Sequence, residues 1–255
     1  MTATATRKSL LVPMLDFPRD FEAETNLWFD TDHVPERLSC DGIEWCERFQ
    51  VSEVEPANWS AAQRWMKYLN FYTLTSIEVL DSEAYALQRD MNGGKGSAWR
   101  QVREARQVRA QQPSPARSLR SMWVQRDDSW SDSRVLDQRG PRAIFVVLRD
   151  HGGDNDVALN KYLDEQYIPE ILHIPGFLGA ERYEAAGPVK DVGVRGAQPR
   201  YMDVYDITTA EVVASGAYRR FLASLDVPSD VKKALVPVGS GAYTQRPSPW
   251  LVSAR

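Results

Sequence analysis

The chain has 255 residues, of which 43% are hydrophobic, 26% charged and 10% aromatic, and its formal net charge is -4. This composition excludes a disordered, collagen-like or coiled-coil chain, and the acidic balance disfavours a general role in binding nucleic acid. Two cysteines are too few for a disulfide framework, and no apolar run approaches the roughly 20 residues that span a bilayer. We expect a cytoplasmic protein with neither a nucleic-acid nor a membrane partner.

The predicted elements occur in the same order twice along the chain. Apolar runs predict a first strand at 10–15 and at 143–148. A helix should follow at about 20–33 and 154–167, begun by a capping aspartate (Asp20 in the first case) and ended or kinked at Pro35 and Pro169. The later predicted strands are 43–51, 68–75, 119–125, 177–184, 201–208 and 242–246. A second helix is predicted from residue 82 and over 209–222.

Three blocks of sequence are repeated in the same order. NLWFDTDHVPERL aligns without a gap on NKYLDEQYIPEIL at a shift of 134 residues, and YLNFYTLTSIEVLDSEAY aligns on YMDVYDITTAEVVASGAY at a shift of 133. SMWVQRDDSW aligns on GAYTQRPSPW at a shift of 120. The sequence therefore predicts two units, 1–135 and 136–255, with a helical insertion near 92–117 in the first.

Each unit has the order βαββαβ, which is that of a ferredoxin-like α+β unit with helices on one face of an antiparallel sheet. The uncovered faces should pack sheet to sheet as a pseudo-symmetric barrel. The stretch DTDHVPERLSCDGI, a helix ending in His-x-Pro before a glycine turn, resembles the EthD-like proteins of the dimeric α+β barrel superfamily. The resemblance implies a small-molecule cavity used for proton transfer, cyclisation, isomerisation or oxygenation without a cofactor, and other branches bind haem.

His33 is the best-placed candidate for acid–base chemistry, because imidazole titrates near neutral pH. Asn26, Asp30 and His33 are spaced by four and three, so on an α-helix they form one stripe in which Asp30 can orient the imidazole. The alternative is a histidine favoured by the dipole at a helix C-terminus. Tyr167 stands at the matching position of the second unit, so we expect the active site in the first unit.

Tyrosines are the next candidates, since a phenol can donate a hydrogen bond to a developing enolate. Tyr68 and Tyr72, like Tyr201 and Tyr205, are spaced by four, which on a strand places both side chains on one face. If that face points into the barrel, the rings line an aromatic cavity; the alternative is that they fill the core. The predicted substrate-binding residues are Asn26, Trp28, Tyr167, Tyr201 and Tyr205.

Other features have simpler interpretations. Glu36 and Glu170 are expected to form ion pairs with Arg48 and Arg182. Cys40 and Cys46 are read as small buried residues, His173 as a packing histidine and His151 as a loop residue. The arginines of the insertion are interpreted as a solvated helix face, with a lid or a subunit contact as alternatives.

The leading hypothesis is a cofactor-independent enzyme of lyase, isomerase or cyclase type, with oxygenation as a further option, acting on a small aromatic or polyketide-like molecule. His33 is the predicted acid or base, Asp30 its orienter, and Tyr68 and Tyr72 the hydrogen-bond donors, with no metal. One alternative is a haem enzyme of the chlorite-dismutase-like branch, and another is a non-catalytic binding module. The chain either forms the barrel alone or pairs again as a homodimer.

Overall fold

The computed structural model describes residues 8–17, 19–57, 65–93, 117–126, 142–150, 156–188, 199–232, 235 and 237–247. The predicted boundary between the two units lies outside these ranges. So do His151 and residues 94–116 of the predicted insertion.

In the described ranges, eight antiparallel strands close a barrel. They are β1 (Ser9–Asp16), β2 (Ile43–Val51), β3 (Tyr68–Leu74), β4 (Arg117–Gln125), β5 (Ala143–Arg149), β6 (Phe177–Pro188), β7 (Tyr201–Ile207) and β8 (Gly239–Gln245). The order around the barrel is β1-β3-β2-β8-β5-β7-β6-β4. The first four strands therefore lie in the order β4-β1-β3-β2 and the last four in the order β8-β5-β7-β6. The predicted closed antiparallel barrel is confirmed.

Two seams join the halves of the barrel. At one seam β4 pairs with β6. At the other, β2 pairs with β8 through Phe49–Val51 only, after which the backbone N–H of Ser52 donates to the carbonyl of Ala242 at 2.8 Å. Beyond this point the chain leaves the barrel wall, while β8 continues alongside β5.

Helices cover the outer face of each half. They are α1 (Glu22–Trp28), α2 (Val34–Leu38), α3 (Glu83–Gly93), α4 (Asp156–Tyr162), α5 (Ile168–Ile171) and α6 (Gly216–Ser224). The π-helical turns Phe29–His33 and Leu163–Tyr167 join α1 to α2 and α4 to α5. The prolines then stand in the first turn of α2 and α5, directly after the π-helical turns. The predicted cap by Asp20 is wrong, because α1 begins after Phe21 without a side-chain cap. None of the described helices is both long and apolar enough to cross a membrane.

Glycine is required at the turns that precede β2 and β6. Gly42 and Gly176 have φ values of 90° and 100°. A Cβ at either position would lie 2.4 Å from Val79 or 2.5 Å from Val212, respectively. These residues therefore fix the helix-to-strand turns at the positions where the sequence predicted them.

The apolar core has three parts. One fills the barrel interior with side chains from both halves, among them Leu10, Phe49, Ile144, Met202 and Tyr243. The other two lie outside the barrel, between each half of the sheet and its own helices. The cavity that the described residues line at the barrel interior is only about 40 Å³, so larger spaces are to be sought outside the barrel.

Candidate functional site

A fully buried arginine of the first half ties helix α1 to the sheet. Arg48 donates through Nε to Asn70 Oδ1 at 3.0 Å and through Nη2 to Asn26 Oδ1 at 2.7 Å. Its Nη1 pairs with the carboxylate of Asp30. The predicted pairing with Glu36 is wrong, because Asp30 is the carboxylate that contacts the Arg48 guanidinium.

The second half repeats this arrangement. Arg182 is also fully buried and donates through Nη2 to Asn160 Oδ1 at 2.7 Å. Its Nη1 pairs with Asp164, and its Nε donates to Asp203 Oδ1 at 3.1 Å. The predicted partner Glu170 is therefore wrong here too. The Asn and Asp positions shared by the two halves serve this helix-to-sheet anchor.

His33 lies in an aromatic cluster of the first half. It is 7% exposed, and its ring centroid is 4.6 Å from that of Trp28 and 4.9 Å from that of Phe29. The Asp30 carboxylate lies against Arg48, and the orientation of the imidazole by Asp30 stays a prediction. The π-helical turn that includes both residues breaks the α-helical spacing from which one stripe was predicted.

The four predicted tyrosines of the sheet, Tyr68, Tyr72, Tyr201 and Tyr205, are all buried. They share one face, as predicted, and that face points to the helices, so of the two alternatives the rings do not line the barrel interior. Tyr68 accepts a hydrogen bond from Asn26 Nδ2 at 3.1 Å, and Tyr201 accepts one from Asn160 Nδ2 at 3.3 Å. Asn26 and Asn160 of the helices thus give two of these phenol groups a polar partner.

A cavity of about 520 Å³ lies in the second half between the sheet, α6 and the segment that follows α6. Its apolar walls include Phe145 and Val147 of β5 and Leu222 of α6. Three buried polar side chains also line it, namely Arg149, Tyr167 and Ser240. Asp226 and Lys232 are exposed at its rim. The cavity thus combines apolar walls with a few convergent polar groups, as small-molecule sites do.

Arg149 is the buried cation of the cavity, with 2% of its surface exposed. Its Nε donates to Asp203 Oδ2 at 2.9 Å, and its Nη1 donates to the carbonyl of Leu235. Burial alone would raise the pKa of Asp203, but the guanidinium groups of Arg182 and Arg149 hold that pKa below its ordinary value. The remaining N–H groups of Arg149 are those that can meet a ligand.

Tyr167 lines the same cavity, as one of the predicted substrate-binding residues. Burial raises the pKa of this phenol above its ordinary value, although the nearby Arg149 opposes the rise. The Arg149 guanidinium carbon is 5.9 Å from the centre of the Tyr167 ring. Tyr167 is therefore a neutral hydrogen-bond donor beside a permanent cation at physiological pH.

The two halves differ at the residues that form this site. Where the second half has Arg149 and Asp203, the aligned positions of the first half are Leu15 and Asn70. Asn70 accepts a hydrogen bond from Arg48 Nε, as Asp203 accepts one from Arg182 Nε. Sequence reasoning missed Arg149 and Asp203, although their joint replacement between the aligned repeats was the signal that could have found them.

The remaining predicted residues do not line the cavity. Cys40 and Cys46 are buried, as predicted, and burial raises the pKa of both thiols. His173 is exposed at the surface, so the predicted packing role is wrong. Its neighbours in the chain explain this, because the buried positions of that turn are taken by Ile171 and Ile174.

The cavity's donor set does not fit an axial histidine for haem. Haem proteins hold iron through His, Cys, Met or Tyr. Among the described residues that line the cavity, Tyr167 alone is of these types. A phenol binds iron as the phenolate, whereas burial here favours the protonated form.

No known protein-family profile and no curated protein matches the sequence. Among solved structures, an anthrone oxidase-like protein is similar with a TM-score of 0.55 and 12% identity, covering 97% of this chain and 94% of that one. A chlorite dismutase variant from Candidatus Nitrospira defluvii is similar with a TM-score of 0.51 and 10% identity, also over 97% and 94%. At these identities the likeness shows the fold alone, which confirms the predicted dimeric α+β barrel fold.

Proposed function

We propose that the protein is a cofactor-independent enzyme that stabilises the anion of a small aromatic or polyketide-like substrate in the second-half cavity. The observation that carries this proposal is the buried pair of Arg149 and Tyr167 against the apolar walls of the cavity. The anthrone oxidase-like neighbour supports an aromatic substrate through its name. Isomerisation, cyclisation, lyase chemistry and oxygenation can all proceed from such an anion.

In this proposal the substrate loses a proton and its negative charge develops on an oxygen beside Arg149. The guanidinium stabilises that charge, because the cation is buried and is already oriented by Asp203. Tyr167 donates a hydrogen bond to the same oxygen. Asp226, the one carboxylate among the described residues that line the cavity, accepts the proton at the rim.

Several predictions from the sequence stay proposals beside this one. Acid–base catalysis by His33 belongs to the first half, and neither the 520 Å³ cavity nor a neighbouring one of 260 Å³ is lined by His33. We also propose that the halves are ferredoxin-like, EthD-like units that arose by tandem duplication, which the equal strand order of the two halves supports. A cytoplasmic location and a homodimer likewise remain predictions.

Anion formation can be tested directly with anthrone, whose methylene protons are acidic. We expect the protein to accelerate exchange of these protons in deuterium oxide, followed by nuclear magnetic resonance. The double variant Arg149→Leu/Asp203→Asn gives the second half the residues of the first, and it should slow exchange at least about 100-fold. Unchanged exchange in the folded double variant would overturn the proposed site.

The same experiment separates the alternatives. Product formed under air but not under nitrogen would assign the oxygenase reaction, and product formed in both would assign isomerase or lyase chemistry. Anthrone bound without any acceleration of exchange would favour a non-catalytic binding module. A Soret band that appears after addition of haem, together with a peroxide-dependent activity, would favour the haem enzyme.

A further inference from the structure

A second cavity of about 260 Å³ lies beside the proposed site. It is enclosed by residues 51–56, from the last residue of β2 onward, and by Ser240 and Gly241 of β8. Ser240 also lines the larger cavity. The two cavities therefore share Ser240 as a lining residue.

The second cavity exists because β2 and β8 diverge beyond their paired residues. After Ser52 donates to Ala242, the chain crosses to the helices of the second half, where the N–H of Ala57 donates to the carbonyl of Val213 at 2.8 Å. β8 is then paired only with β5, through Val147 and Ser240. Along a strand, the backbone N–H and C=O groups of successive residues point alternately to its two sides. The Ala242 carbonyl points to the side of β2, and Ser240 lies two residues before Ala242. The N–H and C=O of Ser240 therefore face the gap between β8 and the departing chain.

Ser240 has an unused hydroxyl. The residue is 3% exposed, and its buried Oγ has no hydrogen-bond partner among the described residues. A buried hydroxyl without a partner is unfavourable, and native structures rarely keep one without a reason. A ligand that passes between the two cavities would supply the missing partner.

The two cavities differ in the charges that line them. The larger one carries the Arg149 cation inside, while Lys232 and Asp226 both lie at its rim. The smaller one is edged by Glu53 and Glu55, both exposed. A ligand that occupies both is therefore favoured when its anionic group lies at one end only.

We propose that the substrate extends past Ser240 into the smaller cavity, with its anionic end at Arg149 and an uncharged or cationic end near Glu53 and Glu55. The Ser240 hydroxyl donates to a neutral acceptor, such as a carbonyl, in the middle of the molecule. This inference rests on the proposed function, since it assigns the substrate's anion to Arg149. It makes Ser240 a specificity-determining residue.

Two rigid probes test the role of the hydroxyl. Anthraquinone-2-carboxylate has carbonyl acceptors in its middle ring, and anthracene-2-carboxylate lacks them. In titration calorimetry, Ser240→Ala should weaken the first probe about fivefold and leave the second unchanged. Thr244→Ala is the matched control, because it removes an exposed hydroxyl of the same strand that lines neither cavity.

A third probe, anthraquinone-2,6-dicarboxylate, tests the acidic end. The wild type should bind it more weakly than the monocarboxylate, and Glu53→Gln/Glu55→Gln should remove that difference. An equal effect of Ser240→Ala on the two monocarboxylates overturns this inference while the proposed site stands. If the wild type binds no probe, or if Arg149→Leu/Asp203→Asn binds as tightly as the wild type, the proposed site fails as well.

Discussion

The pair of Arg149 and Asp203 marks the second half as different from the first. Removing two charges from water costs about as much free energy as their attraction returns, so a buried ion pair adds little to stability. The fold itself does not need the pair, because the first half forms the same helix-to-sheet anchor with Leu15 and Asn70 at these positions. A role in ligand binding explains why the charges are buried where they line a cavity.

The free energy of unfolding of variants should reflect the same balance between desolvation and attraction of the buried charges. Arg149→Leu leaves Asp203 with Arg182 as its remaining partner, and we expect a loss of about 3 kcal/mol in the free energy of unfolding. Adding Asp203→Asn should restore most of that loss, because an asparagine at the aligned position accepts from Arg48 Nε. Urea denaturation of both variants measures the difference. A double variant less stable than the single one would contradict this account.

Tyr167 and His33 stand at aligned positions and can be compared directly. Tyr167→Phe keeps the ring and removes the hydroxyl, so we expect anthrone exchange to slow about tenfold or more without a large change in stability. His33→Phe in the first half should leave exchange unchanged, since His33 lines neither of the two cavities. The opposite result, with exchange lost only in His33→Phe, would place the site in the first half, as the sequence predicted.

At the scale of elements, the glycine turns are where the backbone has least freedom. Gly42→Ala places a methyl group 2.4 Å from a Val79 methyl at a positive φ, and we expect a loss of about 3 kcal/mol. Gly187→Ala is the matched control, because Gly187 has a φ of 111° with no atom within 4 Å of the added Cβ. It should lose about 1 kcal/mol, from strain alone. Thermal unfolding of both variants gives the comparison, and equal losses would show that the clash with Val79 is relieved.

The strands were predictable to within a few residues, because their apolar, β-branched runs and bounding glycines are local features. The side of the sheet that a strand residue faces could not be predicted in this way. Alternation placed Tyr68 and Tyr72 on one face, but only the partner Asn26 on a packed helix decides which face that is. The π-helical turn Phe29–His33 could not be predicted from the sequence either, and it changes the α-helical spacing from which the stripe of Asp30 and His33 was predicted.

At the scale of the whole molecule, the repeat was sufficient to predict a closed barrel but not what occupies the barrel interior. Whether the interior holds a ligand depends on side chains that meet across the two halves, such as Phe49 and Tyr243, which are nearly 200 residues apart in the chain. The segment that encloses the second cavity likewise comes from the other half. Local patterns carry no information about such contacts.

The shared interior should make the halves unfold together. Met202 of β7 is fully buried in the barrel core beside residues of the first half. We expect Met202→Ala to lower the free energy of unfolding by about 3 kcal/mol. Amide protons of β1 in the first half should then lose as much protection as those of β5, measured by native-state hydrogen exchange. Unchanged protection in β1 would show that the halves open as independent units, and that the contacts in the barrel core between them break when one half opens.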